Sequence, residues 1–238
     1  HRLCGKELIR YPVELMRKLS VGLIIVVVSP ENHDSVKQIL GDSVEYAIQP
    51  SKTGTAGAAE AAIEMLRGKR EQILIMGSDS PLVTTESIRL LIDQHVAGNW
   101  YMSILSGVLE KAEGLGRIER GSNSLLNVSG IVEASDDPGR SGESIEVNSG
   151  VYCFEESWLR ENLRQVNVVH GLERYLPDLA SIASAQGKAV FALPSEDPVE
   201  VLGINNRVEL ANLEKIQRRR IKERLMLDGV TISNPDSV

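Results

Sequence analysis

Two short, wholly apolar runs constrain this chain more than anything else in it. Leu23-Ile24-Ile25-Val26-Val27-Val28 is cut off by Ser29-Pro30, and Ile73-Leu74-Ile75-Met76 runs into Gly77-Ser78-Asp79-Ser80-Pro81. A short run with no polar face reads as a strand covered on both sides, which is the signature of a parallel sheet packed between helices. In such sheets ligands sit beyond the carboxyl ends of the strands, and Asp79 falls there. A carboxylate at that point suits Mg²⁺, a hard cation that prefers oxygen. The competing role is to brace the turn, or to cap a helix that starts near Thr84.

Taken in order, the first half alternates strand and helix. A helical face over Glu7–Leu19 (Leu8, Val13, Leu15, Met16, Leu19) precedes the strand at Gly22–Val28, and no strand is read before it. A helix over Glu31–Leu40, a strand over Val44–Ile48, a small-residue loop Ser51–Gly57 and an Ala-rich helix Ala58–Leu66 follow. Next come the strand at Ile73 and a helix over Glu86–His95. After residue 100 the spacing predicts strands over Met102–Leu109, Gly116–Glu119, Leu125–Glu133 and Ile145–Phe154, with a polar, lid-like loop at 134–142. Helices over Glu156–Leu163 and Leu172–Gln186, a strand over Ala189–Leu193 and a long helix over Arg207–Leu227 complete the chain. The alternation predicts an α/β domain at 1–206 and a helical arm at 207–238. The basic residues of that arm are interrupted by Glu214 and Glu223, so they read as a solvated face.

A net charge of −7 argues against nucleic acid or an anionic membrane as a bulk partner. The longest apolar run is far too short to span a bilayer. Cys4 and Cys153 sit in no CxxC or Cys/His grouping, so neither a disulfide framework nor a zinc site is signalled. The expected compartment is the cytosol.

Several positions carry usable chemistry. Gly54-Thr55 stands at a strand-to-helix turn, where backbone N–H groups bind anions; small residues there also serve packing alone. Gln49 offers both halves of an amide to a base edge, or is simply a satisfied polar group at a strand end. Glu133 and Asn148, at predicted strands, offer partners to sugar hydroxyls. Asn205 precedes the long helix and reads as a metal ligand or as an ordinary N-cap.

The ordered set Gln49…Gly54-Thr55, Ser78-Asp79-Ser80-Pro81-Leu82, Gly114-Leu115-Gly116-Arg117-Ile118, Ile131-Val132-Glu133, Glu146-Val147-Asn148-Ser149-Gly150 and Glu200-Val201-Leu202-Gly203-Ile204-Asn205-Asn206-Arg207 spans almost the whole chain. It resembles the uridylyltransferase domain of bacterial bifunctional N-acetylglucosamine-1-phosphate uridylyltransferase/glucosamine-1-phosphate acetyltransferase. His1–Lys6 looks like that family's H-x-L-x-G-K segment, and Ile221–Pro235 looks like its arm helix and following short strand. The resemblance implies a Rossmann-like nucleotide-diphospho-sugar transferase fold: a mixed, mostly parallel sheet with helices on both faces, plus a C-terminal arm helix. It implies uridylyl transfer from UTP to N-acetylglucosamine 1-phosphate, giving UDP-N-acetylglucosamine and pyrophosphate, with Mg²⁺ held by Asp79 and Asn205. Gln49, Gly54 and Thr55 would contact uridine, and Gly77 and Ser78 would border the substrate beside Asp79. Gly116, Glu133 and Asn148 would contact the amino sugar.

The sequence departs from the pattern in places. Gly77-Ser78-Asp79 stands for the family's Tyr-Gly-Asp, Ser135-Asp136 for Lys-Asp, and His170–Asp178 only loosely follows Q-G-E-Y-Y-L-T-D. The glycine-rich L-x-x-G-x-G-T-R-M loop, with its Arg, and the following catalytic Lys have no counterpart, so the chain is expected to be an inactive fragment starting after them. It is also expected to form a trimer only together with a C-terminal domain. If the first strand is absent, the strands at Ile24–Val28 and Ile73–Met76 should flank an open slot. Two other readings are another sugar-1-phosphate nucleotidylyltransferase and a non-catalytic sugar-nucleotide-binding regulator.

Overall fold

The computed structural model describes residues 1–66, 71–110, 114–121, 127–133, 144–168 and 172–237. The polar loop expected at 134–142, with Ser135-Asp136, lies outside the described residues.

The chain opens on a hairpin that its residue pattern does not announce. β1 (Arg2–Leu3) pairs antiparallel with β2 (Lys6–Glu7). Cys4 and Gly5 turn the corner at φ 48° and 79°, the left-handed pair that a two-residue hairpin requires. Then follow α1 (Arg10–Lys18), β3 (Ile25–Val28), α2 (His33–Leu40), β4 (Glu45–Ile48) and α3 (Gly54–Met65). Pro12 falls in the first turn of α1, where its missing N–H costs nothing. α3 begins at Gly54, so half of the expected small-residue loop is the helix's own first turn.

β5 (Gln72–Ile75), α4 (Thr85–Ala97), β6 (Met102–Leu109), β7 (Arg117–Arg120), β8 (Val128–Val132) and β9 (Ile145–Glu155) build the larger sheet. After α5 (Glu156–Asn162) and α6 (Asp178–Ala185), β10 (Val190–Pro194) joins its edge, and α7 (Arg207–Leu227) closes the chain. No helix of the described residues is long and apolar enough to cross a membrane.

The sheet is mixed, as expected, but its pairing is mostly antiparallel. The order is β10-β6-β9-β7-β8, with β5 on β9. Only β10–β6 and β3–β4 are parallel pairs among the described residues. β9 lies between β5 and β6 and runs against both. Strands β5, β6 and β10 still share one direction; the interposed β9 makes their ladders antiparallel. β5 is therefore not the fully covered parallel strand that its apolar run suggests, and each of its residues is half-buried.

Helices cover both faces. On one, Ala59 and Ile63 of α3, Trp158 and Leu159 of α5, and Leu179 and Ala183 of α6 pack on Met102, Ile104, Tyr152 and Phe154. On the other, Leu15 and Met16 of α1 and Ile88 and Leu91 of α4 pack on Leu105, Val151 and Cys153. Each fully buried Leu, Ile, Val, Met or Phe side chain here contributes about 1.5–3 kcal/mol. β3 and β4 form a separate ladder, with Val26 and Val28 packed on Val13 of α1 and Leu40 of α2. No ladder joins β3 to β5 among the described residues, and both strands border one cavity of about 900 Å³. The expected slot is thus present. α7 docks through Leu213, which is buried against Leu3 and Leu82, with Leu210 and Ile216 beside it, whereas Arg219 is 80% exposed.

Candidate functional site

The cavity between β3 and β5 reaches the carboxyl end of β5. Gly77, Ser78 and Asp79 border it there, with Asn205 beside them. Thr55, Gly116, Glu133 and Asn148 border the same space. Eight of the ten residues expected from the sequence are therefore gathered into one concavity from six separate stretches of chain. Gln49 and Gly54 are outside its lining.

Asp79 borders the cavity and is exposed. It makes no ion pair among the described residues. Its carboxylate folds back over residue 77, where a Cβ would lie 2.2 Å from Oδ1. The Asp79 carbonyl accepts the Ile204 N–H at 3.0 Å, which ties the turn to the segment carrying Asn205. The helix-capping alternatives for both residues fail. Thr84 caps α4 by accepting from Ser87 N–H. Asn206, not Asn205, caps α7 by accepting from Val208 and Glu209 N–H. An exposed carboxylate and an adjacent amide give oxygen donors of the kind Mg²⁺ takes, with substrate phosphate and water left to complete its shell. Among the described residues, no three His, Cys, Asp or Glu side chains gather to hold a metal by themselves.

Asn148 is aimed by a bulge. The β6–β9 register shifts after Leu105, where Ser149 Oγ donates to the Leu105 carbonyl at 2.6 Å and Gly150 adopts φ 76°. Bulges re-aim side chains at sites in this way. The Asn148 amide donates to Tyr152 Oη at 2.7 Å and accepts from Gly150 N–H, while its own N–H donates to the Gly116 carbonyl. Burial, aided by the Glu133 charge, raises the Tyr152 phenol well above its ordinary value, so it stays protonated. Gly116 lies beside the Glu133 carboxylate: a Cβ there would be in ordinary contact with Oε1 at 3.6 Å and would press on Ile131 Cγ2 at 3.1 Å.

At the start of α3, the Gln49 amide nitrogen donates to Thr53 Oγ1 at 2.8 Å and to the Gly54 carbonyl at 3.0 Å. These bonds leave the amide oxygen as the group to offer a ligand. Thr55 Oγ1 accepts Leu176 N–H at 2.9 Å. Tyr175, which falls on a Tyr of the loosely matched Q-G-E-Y-Y-L-T-D stretch but is not among the expected site residues, also borders the cavity and donates its hydroxyl to Glu173. That bond raises the phenol above its ordinary value. The missed signal lies in the segment at 173–176, which reads as part of a helix that in fact starts at Asp178.

The nucleotidyl transferase family matches residues 2–198. The chain is similar to the bifunctional protein GlmU of Geobacillus sp. (strain WCH70), 37% identical over 237 residues, covering 99% of this chain and 51% of that protein. It is also similar to the bifunctional protein GlmU of Caldanaerobacter subterraneus subsp. tengcongensis, 36% identical over 238 residues, covering 100% of this chain and 51% of that one. The chain spans about half the length of the curated relatives it matches. Among solved structures, CMP:2-keto-3-deoxy-manno-octonic acid synthetase complexed with CTP matches at TM-score 0.65 and 13% identity, over 92% of this chain and 91% of that chain. HddC from Yersinia pseudotuberculosis complexed with GMP-PN matches at TM-score 0.64 and 14% identity, over 91% and 88%. At such identities the likeness speaks for the fold.

Proposed function

Because this chain belongs to the nucleotidyl transferase family, we propose that its cavity serves uridylyl transfer from UTP to N-acetylglucosamine 1-phosphate. The products are UDP-N-acetylglucosamine and pyrophosphate, formed in the cytosol. The observation that carries the reading is the meeting of Thr55, Asp79, Gly116, Glu133, Asn148 and Asn205 around one cavity at the carboxyl end of β5.

In the reaction, a phosphate oxygen of the sugar phosphate bonds to the α-phosphorus of UTP and the bond to pyrophosphate breaks. Such transfer depends on positioning and on neutralised charge more than on covalent help from the protein. Asp79 and Asn205 would hold Mg²⁺, which when bound supplies that neutralisation. Glu133 accepts from sugar hydroxyls, and the Asn148 amide, pinned by Tyr152 and Gly150, presents a fixed polar edge. Thr55 orients the nucleoside from the cavity wall, and Gln49, outside that wall, would offer a base donor the amide oxygen that its bonds to Thr53 and Gly54 leave over. Gly77 and Ser78 keep the wall beside Asp79 low, and Gly54 lets the chain cross close to the helix start.

Calorimetric titration tests this. UDP-N-acetylglucosamine should bind, Glu133→Gln should weaken it about tenfold, and CDP- or GDP-sugars should bind more weakly. Equal binding of all three nucleotides, or none, would overturn the assignment. Pyrophosphate release by the full-length protein would separate transfer from binding alone.

A further inference from the structure

Glu60 sits on the second turn of α3, apart from every residue assigned above. Its carboxylate accepts from Arg174 Nη2 and from Arg164 Nε, the latter at 3.2 Å. The Arg174 guanidinium holds that carboxyl below the usual carboxylate range. Arg174 is folded inward, with its side chain 18% exposed. Its backbone straddles the start of α3. The Arg174 N–H donates to the Thr53 carbonyl at 3.0 Å, and its carbonyl accepts Ala56 N–H at 3.0 Å. Two residues on, Leu176 N–H reaches Thr55 Oγ1. The crossing is possible because residue 54 is glycine: a Cβ there would lie 2.3 Å from the Arg174 carbonyl oxygen. Between these two anchors stands Tyr175, facing the cavity.

We propose that Glu60 and Arg174 are positioning residues, whose ion pair latches segment 174–176 across the N-terminus of α3. The latch holds the Thr55 hydroxyl and the Tyr175 ring at the cavity wall where a sugar nucleotide lies. The ligand half of this inference rests on the function proposed above. α3 does not depend on the latch to fold, because Ala56, Ala59 and Ile63 seat it in the core. A partly exposed ion pair adds little to global stability. A ligand group left loose by a fraction of an ångström loses much more.

The test compares Glu60→Gln, Arg174→Gln, their double variant, Arg174→Lys as the conservative rescue, and Arg164→Gln as control. Two readouts are affinity for UDP-N-acetylglucosamine and hydrogen exchange at the Arg174 and Leu176 amides. Each Gln variant should weaken binding about 5- to 10-fold and speed both amides, with Tm nearly unchanged. The double variant should be no worse than either single, as for two halves of one contact. Arg174→Lys should recover binding to within about twofold, and Arg164→Gln should leave it as it was. Unchanged exchange in Glu60→Gln overturns the latch. Faster exchange with unchanged affinity, or additive losses in the double variant, overturns the positioning role. If the unsubstituted chain binds no sugar nucleotide, the proposed function falls and the ligand half falls with it, while exchange still decides the latch.

Discussion

Acid should weaken this fold through one imidazole, and the size of the effect follows from its surroundings. His95, in the last turn of α4, is 1% exposed. Its Nδ1 lies 2.8 Å from Ser103 Oγ, and the Gln72 amide nitrogen, turned to satisfy its neighbours, donates to Nε2 at 2.7 Å. The ring is therefore neutral, with Nδ1–H donating and Nε2 accepting. Burial pushes its pKa from 6.5 down to about 4, outweighing the opposing pull of Glu155. Between those two values the unfolded chain holds a proton that the native chain refuses, so stability is complete above about pH 6.5 and is lost as pH falls toward 4. At 1.36 kcal/mol per pKa unit, the whole window withdraws about 3 kcal/mol. By pH 5.0 about 2 kcal/mol is already gone. Urea unfolding of the chain and of His95→Gln at pH 7.5 and 5.0 measures this directly. Other acid-sensitive pairs, such as Glu60–Arg174, are common to both proteins and cancel. The drop should be smaller in the variant by about 2 kcal/mol. Equal drops would refute the argument, as would an NMR titration placing the ring near 6.5.

Three further outcomes can be checked. Gly54→Ala combines φ 77° with a Cβ 2.3 Å from a carbonyl oxygen, and should cost at least about 2–3 kcal/mol in urea unfolding; a loss under about 1 kcal/mol would mean the crossing segment yields freely. Gly77→Ala puts a Cβ only 2.2 Å from Asp79 Oδ1, so the carboxylate must swing away. Tm should hold while the Mg²⁺-dependent part of nucleotide binding falls, and unchanged Mg²⁺ dependence would remove Asp79 from the site. Asn206→Ala removes the cap on the first N–H groups of α7 and should cost about 1 kcal/mol, with helix content lost at low denaturant first.

Elements with a one-sided or continuous apolar pattern are legible in the residues themselves. β6 and α7 occupy the positions the periodicity predicts, Met102–Leu109 and Arg207–Leu227. The Arg2–Glu7 hairpin is not legible, because two residues per strand leave no alternation to read; only Gly5 hints at the turn. The helix before Gln186 is shorter than its pattern predicts, since the chain at 174–176 spends its backbone bonds on α3 instead of on itself. The placing of β9 between β5 and β6 rests on pairings across long sequence gaps, which local pattern does not encode. For the site, the turn chemistry around Asp79 points to the carboxyl end of β5, and the small residues at Gly54-Thr55 point to the start of α3. Glu133 and Asn148 are legible only as polar groups at predicted strands, and Gly116 comes from resemblance alone. Glu60 and Arg174 carry no signal, because what matters about them exists only after the chain crosses itself, whereas Tyr175 falls on a Tyr of the loosely matched Q-G-E-Y-Y-L-T-D stretch.

The position of β9 also dictates a timetable. Among the described residues β9 is the one strand that pairs with β5, and Ile75 waits for Tyr152. At a synthesis rate of about 5–20 residues per second, that wait lasts roughly 4–15 s on the ribosome. Throughout it, the edge of Ile73-Leu74-Ile75-Met76 that β9 will cover is bare, and apolar stretches of this kind self-associate when left so. β6 emerges next and waits for the same late arrival. β5 and β6 are joined only when β9 enters between them, β10 closes on β6 later still, and a chain stalled ahead of residue 155 would leave both strands as a chaperone target.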